Sequence, residues 1–185
     1  MKKLFLLPIL LLSLISTPCL SETMGDLVKR DGIYYKKFTE TPFTGKVTGK
    51  EQGRIKNGKR EGEWVKYHDN GQLKAKASFK NGKLEGESVG YYKNGQLEFK
   101  GSYKNGKKEG DWVGYHGNGD LRYRGSYKNG KQEGAWISYW RNGQLFEKGS
   151  WKNGEKEGDW VGYNTDGTVY KEETGTFKDG KKVSD

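Results

Sequence analysis

Three features of the sequence predict an all-β fold: an elongated single-layer antiparallel meander of tandem 24-residue β-hairpin units after an N-terminal signal segment. Asn-Gly or Asp-Gly pairs recur on a two-step rhythm, and the segments between them alternate polar and apolar residues. The third feature is a composition too poor in aliphatic side chains to fill a thick core. The chain has 185 residues, with 29 Gly, 3 Pro, 1 Cys and a formal charge of +10. Residues 1–21 carry two of the lysines and no acid, so the remaining 164 residues carry +8. Only 23 of those 164 are Leu, Ile, Val or Phe, whereas 24 are aromatic. A large helical bundle or a doubly wound α/β enzyme needs far more aliphatic volume.

The chain divides into four stretches. Residues 1–21 read as a secretory signal peptide: Met1-Lys2-Lys3, an apolar run from Leu4 to Ile15, then Ser16, Thr17 and Pro18. The run is too short for a membrane span. Cleavage after Ser21 predicts a secreted or periplasmic protein; a rival reading makes Cys19 a lipid-carrying N-terminus. Cys19 is the only thiol, so the exported part makes no internal disulfide. Residues 22–52 read as an N-terminal capping hairpin, with Gly32–Tyr35 and Phe43–Val47 flanking Thr41-Pro42. Residues 53–180 form the repeat domain, and 181–185 a frayed polar tail.

The turn glycines Gly58, Gly71, Gly82, Gly95, Gly106, Gly119, Gly130, Gly143, Gly154, Gly167 and Gly180 are separated alternately by 13 and 11 residues, with a two-residue insertion in the last unit. Each pair predicts a type I′ turn, which needs positive φ at both central residues. One half of each unit alternates cleanly, as in Leu97, Phe99, Gly101 and Tyr103 against Glu98, Lys100 and Ser102. The other half opens with Glu-Gly and an aromatic: Trp64, Trp112, Trp136 and Trp160, with Ser88 in the second copy. Glycine inside a strand ordinarily weakens it. Gly101, Gly125 and Gly149 therefore predict rings, such as Trp112 or Tyr127, lying across bare backbone on adjacent strands. About eleven strands result.

The run Gly101-Ser102-Tyr103-Lys104-Asn105-Gly106-Lys107-Lys108-Glu109-Gly110-Asp111-Trp112 resembles the MORN repeat. The Glu-Gly and Asn-Gly-Gln-Leu features resemble its bacterial variant, often labelled a YwqK-family antitoxin, over about residues 43–180 and in five copies. The resemblance implies a hairpin meander acting as an interaction scaffold, with membrane-lipid binding proposed for some members. An antitoxin role fits poorly with a secretory signal.

No catalytic residue, cofactor or metal is expected. His68 and His116 share one repeat position, filled elsewhere by Tyr92, Trp140 and Asn164, and read as a tolerant strand slot. Glu61, Glu85, Glu109, Glu133 and Glu157 recur in equivalent settings, unlike an acid/base pair driven apart in pKa; they read as partners of Lys59, Lys83 and Lys107 or as supports of the glycine loops. The expected function is a non-enzymatic exported scaffold for protein–protein or cell-envelope interactions. Its contact residues are Trp64, Trp112, Trp136, Trp160, Tyr115 and Tyr139 on an aromatic face, with Lys104, Lys128 and Lys152 on a basic turn ridge. The alternatives are binding of anionic lipid or polysaccharide, and inhibition of a toxin or envelope enzyme. Nucleic acid is not an expected partner.

Overall fold

The computed structural model describes residues 21–185, so the expected signal peptide and Cys19 lie outside the described residues, Ser21 excepted. The strands run β1 (Ser21–Thr23), β2 (Leu27–Arg30), β3 (Ile33–Lys36), β4 (Gly45–Thr48), β5 (Glu51–Lys56), β6 (Lys59–Tyr67), β7 (Leu73–Lys80) and β8 (Lys83–Tyr91). They continue as β9 (Leu97–Lys104), β10 (Lys107–Tyr115), β11 (Leu121–Lys128), β12 (Lys131–Tyr139), β13 (Leu145–Lys152), β14 (Glu155–Gly162), β15 (Gly175–Lys178) and β16 (Lys181–Ser184). Fourteen form one sheet in the order β1-β4-β5 and then consecutively to β16, while β2 and β3 pair apart. Every pairing in the large sheet is antiparallel except β1 with β4. The repeat domain supplies the eleven strands β5–β15; β1, β4 and β16 extend the sheet at its ends.

Two kinds of turn alternate along the sheet. Asn57, Asn81, Asn105, Asn129, Asn153 and Asp179 each have φ between 48° and 53° and precede a glycine of positive φ. These are the expected two-residue type I′ turns. The intervening turns differ. At Asn70-Gly71 only the glycine has positive φ, the Gly71 amide bonds to the His68 carbonyl at 3.0 Å, and the His68 amide bonds to the Gln72 carbonyl at 2.8 Å. The same pattern recurs at Gly95, Gly119, Gly143 and Gly167. That is a type I turn closed by a left-handed glycine. The Asn-Gly pair, shifted one place along the loop, leaves Asn in an ordinary conformation.

The mid-strand glycines answer a packing demand. A Cβ on Gly53, Gly101, Gly125 or Gly149 would fall inside the ring of Trp64, Trp112, Trp136 or Trp160. Each tryptophan lies across the residue eleven positions earlier, on the preceding strand. Tyr127 covers no glycine; it packs edge-on against Trp112 and Trp136, with centroids 5.9 and 5.7 Å away. Phe99 and Tyr123 instead cover Gly90 and Gly114 and stack on Trp112 and Trp136. The core is thus one ring deep on a single face, each ring removing about 150–250 Å² from water.

The ends depart from the sequence reading. The N-terminal hairpin joins β2 to β3 through Asp31-Gly32, whose φ values of 48° and 81° make another type I′ turn. Of Phe43–Val47 only Gly45–Val47 pairs within the large sheet, and an isolated bridge links Tyr35 to Pro42. Leu27, Phe43, Val47, Ile55 and Trp64 pack as a hydrophobic plug over the first repeat. Residues 181–184 are not frayed: β16 pairs with β15 through Lys178↔Lys181 and Phe177↔Lys182. The two-residue insertion forms a short 3-10 turn, Lys171–Glu173, that lays Glu173 over Gly162.

Candidate functional site

The four repeat tryptophans expected to meet a partner are core residues, with exposures of 4% for Trp64, 2% for Trp112, 8% for Trp136 and 1% for Trp160. They bind the units to one another, and this corrects their assignment to a contact surface. Tyr115 and Tyr139 are half-buried at the ends of β10 and β12. Lys104, Lys128 and Lys152 are exposed, each immediately before a type I′ turn.

Those turn lysines form a doubled row. Lys56↔Lys59, Lys80↔Lys83, Lys104↔Lys107, Lys128↔Lys131 and Lys178↔Lys181 stand directly opposite one another across their turns. Only Lys152↔Glu155 breaks the pattern. Successive turns on this edge lie two strands apart, about 10 Å. Opposed like charges destabilise a hairpin, by roughly 0.2–1 kcal/mol per pair. The stems of Lys59, Lys83, Lys107 and Lys131 rest on the next turn's glycine, but Glu155 does the same on Gly180. Packing at this position therefore needs a stem and no particular charge.

The repeating glutamates serve the same edge. The carboxylates of Glu61, Glu85, Glu109, Glu133 and Glu157 accept the backbone N–H of Asn81, Asn105, Asn129, Asn153 and Asp179, at 2.8–3.2 Å. Each carboxylate latches the turn of the following hairpin. Of the expected lysine pairings none forms; Glu157 approaches only Lys152, at 3.9 Å.

On the opposite edge the histidine slot is more selective than the sequence suggested. His68 Nε2 meets the Tyr91 carbonyl at 2.8 Å, and His116 Nε2 meets the Tyr139 carbonyl at 3.0 Å. Tyr92 donates to the Tyr115 carbonyl at 2.8 Å, and Trp140 to the Tyr163 carbonyl at 2.7 Å. His, Tyr and Trp share an N–H or O–H at the far end of a ring, and the slot selects for that donor. A carbonyl only accepts, so Nε2 of each histidine carries the proton and is not free to ligate metal. Asn164 bonds Thr168 instead.

Cations cap the ring face. Arg60 lies over Trp64, Lys108 over Trp112 and Tyr127, and Lys156 over Trp160, with closest centroids 4.2, 4.0 and 4.0 Å away. Glu51 pairs with Arg60 and Lys66, and Lys156 lies between Glu147 and Glu173. Burial alone would push the Glu51 carboxyl up, but the Lys66 ammonium and Arg60 guanidinium outweigh it and hold it below the ordinary range. Lys108 has Phe99 where Glu51 and Glu147 stand in the other units, and burial pushes its ammonium down. Where Trp gives way to Ser88, the cation gives way to Leu84.

The other face of the sheet is open. Across its middle runs one in-register row: Val65, Lys76, Val89, Lys100, Val113, Arg124, Ile137, Lys148 and Val161. Cations alternate with β-branched residues at every strand. Lys76 pairs with Glu63 at 2.7 Å and Lys100 with Glu87 at 2.8 Å. Asp111, next in that acidic series, accepts a hydrogen bond from Ser126 at 2.6 Å, and the fourth copy has Ala135.

A ribbon of tandem hairpins, with a ring-filled face, an open face and two ordered turn edges, defines a repeat scaffold. Four of its units, residues 60–81, 84–105, 108–129 and 132–153, match the family described as the MORN repeat variant. The chain therefore carries four tandem repeats of that type, a narrower span than the resemblance suggested, and the antitoxin-like subtype is not among the matches. No curated protein matches the chain. Among solved structures it is similar to a chain in a crystal structure of the GtfA/B complex bound to UDP and GlcNAc. That similarity has 12% identity and a TM-score of 0.24, and covers 72% of this chain and 24% of that one.

Proposed function

We propose that this protein is a non-enzymatic, exported scaffold that rests its lysine edge on an anionic surface of the cell envelope. The observation that carries the reading is the fivefold recurrence of opposed lysines across the type I′ turns. Each pair opposes folding, while Glu155 satisfies the same packing with the opposite charge. Hydrogen-bonded glutamates fix the turns that carry the lysines, so the charges are presented on an ordered edge. Burial of the tryptophans supports a charged rather than an aromatic contact. Export rests on the Met1–Ser21 pattern.

Sedimentation with vesicles tests the reading. Retention is expected on phosphatidylglycerol-containing vesicles and not on phosphatidylcholine alone, weakening as salt rises. Lys104→Glu with Lys128→Glu is expected to abolish it. Retention that ignores both salt and those substitutions overturns the reading.

A further inference from the structure

We propose that the open face between β9 and β13 is a binding groove for a linear acidic polysaccharide, independent of the lysine edge. The groove is open to solvent and has a volume of about 950 Å³, and Lys100, Arg124 and Lys148 stand along it with Val113 and Ile137 between them. These side chains come from consecutive in-register positions, so the cations recur every second strand, about 10 Å apart. An extended polysaccharide with one uronate per disaccharide presents carboxylates at a comparable interval. Val113 and Ile137 supply apolar patches between the charges for the flat faces of the sugar rings, and Tyr115 adds an aromatic wall.

Charge is unbalanced in one place. Lys76 and Lys100 are neutralised by Glu63 and Glu87, whereas Arg124 and Lys148 form no ion pair among the described residues. The repeat would set an acid at position 135, and the chain has alanine. The two free cations therefore lie side by side, separated by Ile137, within the groove. Asp111 remains nearby, held by Ser126; its carboxylate accepts from a sugar hydroxyl, while the ligand's own carboxylates lie against Arg124 and Lys148.

A second anionic partner fits this face less well. An acidic peptide in extended form seeks a sheet edge for its backbone hydrogen bonds, and β9–β13 are paired on both sides. Hydroxyls of a polysaccharide need no such edge.

Titration calorimetry of the full chain with hyaluronate oligosaccharides tests the proposal, since hyaluronate carries one carboxylate per disaccharide. Binding is expected, with neutral chitin oligosaccharides binding far less. Arg124→Glu with Lys148→Glu is expected to weaken it about 100-fold, roughly tenfold per charged hydrogen bond. Lys104→Glu with Lys128→Glu is expected to leave it unchanged. An unaltered circular dichroism spectrum shows that the groove variant folds. Absence of hyaluronate binding, equal binding of the neutral oligosaccharide, or full binding by the groove variant overturns the proposal. Retention on anionic vesicles by the same sample, lost only in the lysine-edge variant, would leave the envelope reading standing by itself.

Discussion

At the scale of single residues, the fold rests on a steric pairing between a ring and a bare α-carbon. Ala77 shows the rule from its exception. It stands where Gly53, Gly101, Gly125 and Gly149 stand in other units, and the residue eleven positions on is Ser88 rather than tryptophan. Gly125→Ala is expected to destabilise the protein by about 1–3 kcal/mol, because the added methyl must displace Trp136; urea unfolding measures it. Ser88→Trp alone should destabilise by a similar amount through collision with Ala77. Combined with Ala77→Gly it should become stabilising, and an additive pair of effects would refute the pairing rule. Acid sensitivity also belongs to this scale. Glu51 titrates below its unfolded value, so the stability it contributes is present in full above that unfolded value and is lost as pH falls through the folded one. Glu51→Gln should lower stability at neutral pH and flatten the acid limb of a stability–pH curve.

At the scale of elements, two latches join each hairpin to the next, one at each edge. On the lysine edge the latch is a carboxylate on a turn amide, and on the other it is a ring donor on a strand-end carbonyl. Glu109→Ala should remove about 1 kcal/mol, together with ordering of the Asn129-Gly130 turn seen as faster amide exchange at Asn129. The ring slot makes a sharper prediction. His116→Tyr should be nearly neutral in thermal unfolding, because Tyr92 fills the equivalent place. His116→Phe, which keeps the ring and loses the donor, should destabilise by about 1 kcal/mol. Equal effects of Tyr and Phe would mean that the slot reads shape alone.

At the scale of the whole molecule, equivalent units make the sheet a one-dimensional stack, in which each hairpin contacts mainly its neighbours. Thirteen spacings between fourteen strands give a ribbon about 60 Å long. Deleting residues 107–130 joins Gly106 to Lys131 and seats Trp136 over Gly101. The shortened chain should keep its β circular dichroism and lose about 10 Å of length in small-angle scattering. Collapse to an unfolded chain would show that the units are not interchangeable. The two surfaces available for partners follow from this geometry: one edge gathers the lysines of every second turn, and one face gathers the middle residue of every strand.

The sequence by itself determined the all-β class, the 24-residue unit, the positions of the turns and the presence of rings over glycines, because each is encoded by spacing within one unit. It also placed Lys104, Lys128 and Lys152 beside turns. The Asp31-Gly32 turn was equally legible as a dipeptide, although the Thr41-Pro42 segment competed with it. Only the tertiary structure decided which face each ring occupies, and hence that Trp64, Trp112, Trp136 and Trp160 are buried rather than offered to a partner. It alone revealed the donor role shared by His68, Tyr92, His116 and Trp140, and the row joining Lys100, Arg124 and Lys148. The physical reason is that these relations cross between hairpins: a carbonyl 23 residues away and a neighbour two strands over depend on register, which shifts at places such as Gly114–Tyr115 and which no single unit spells out.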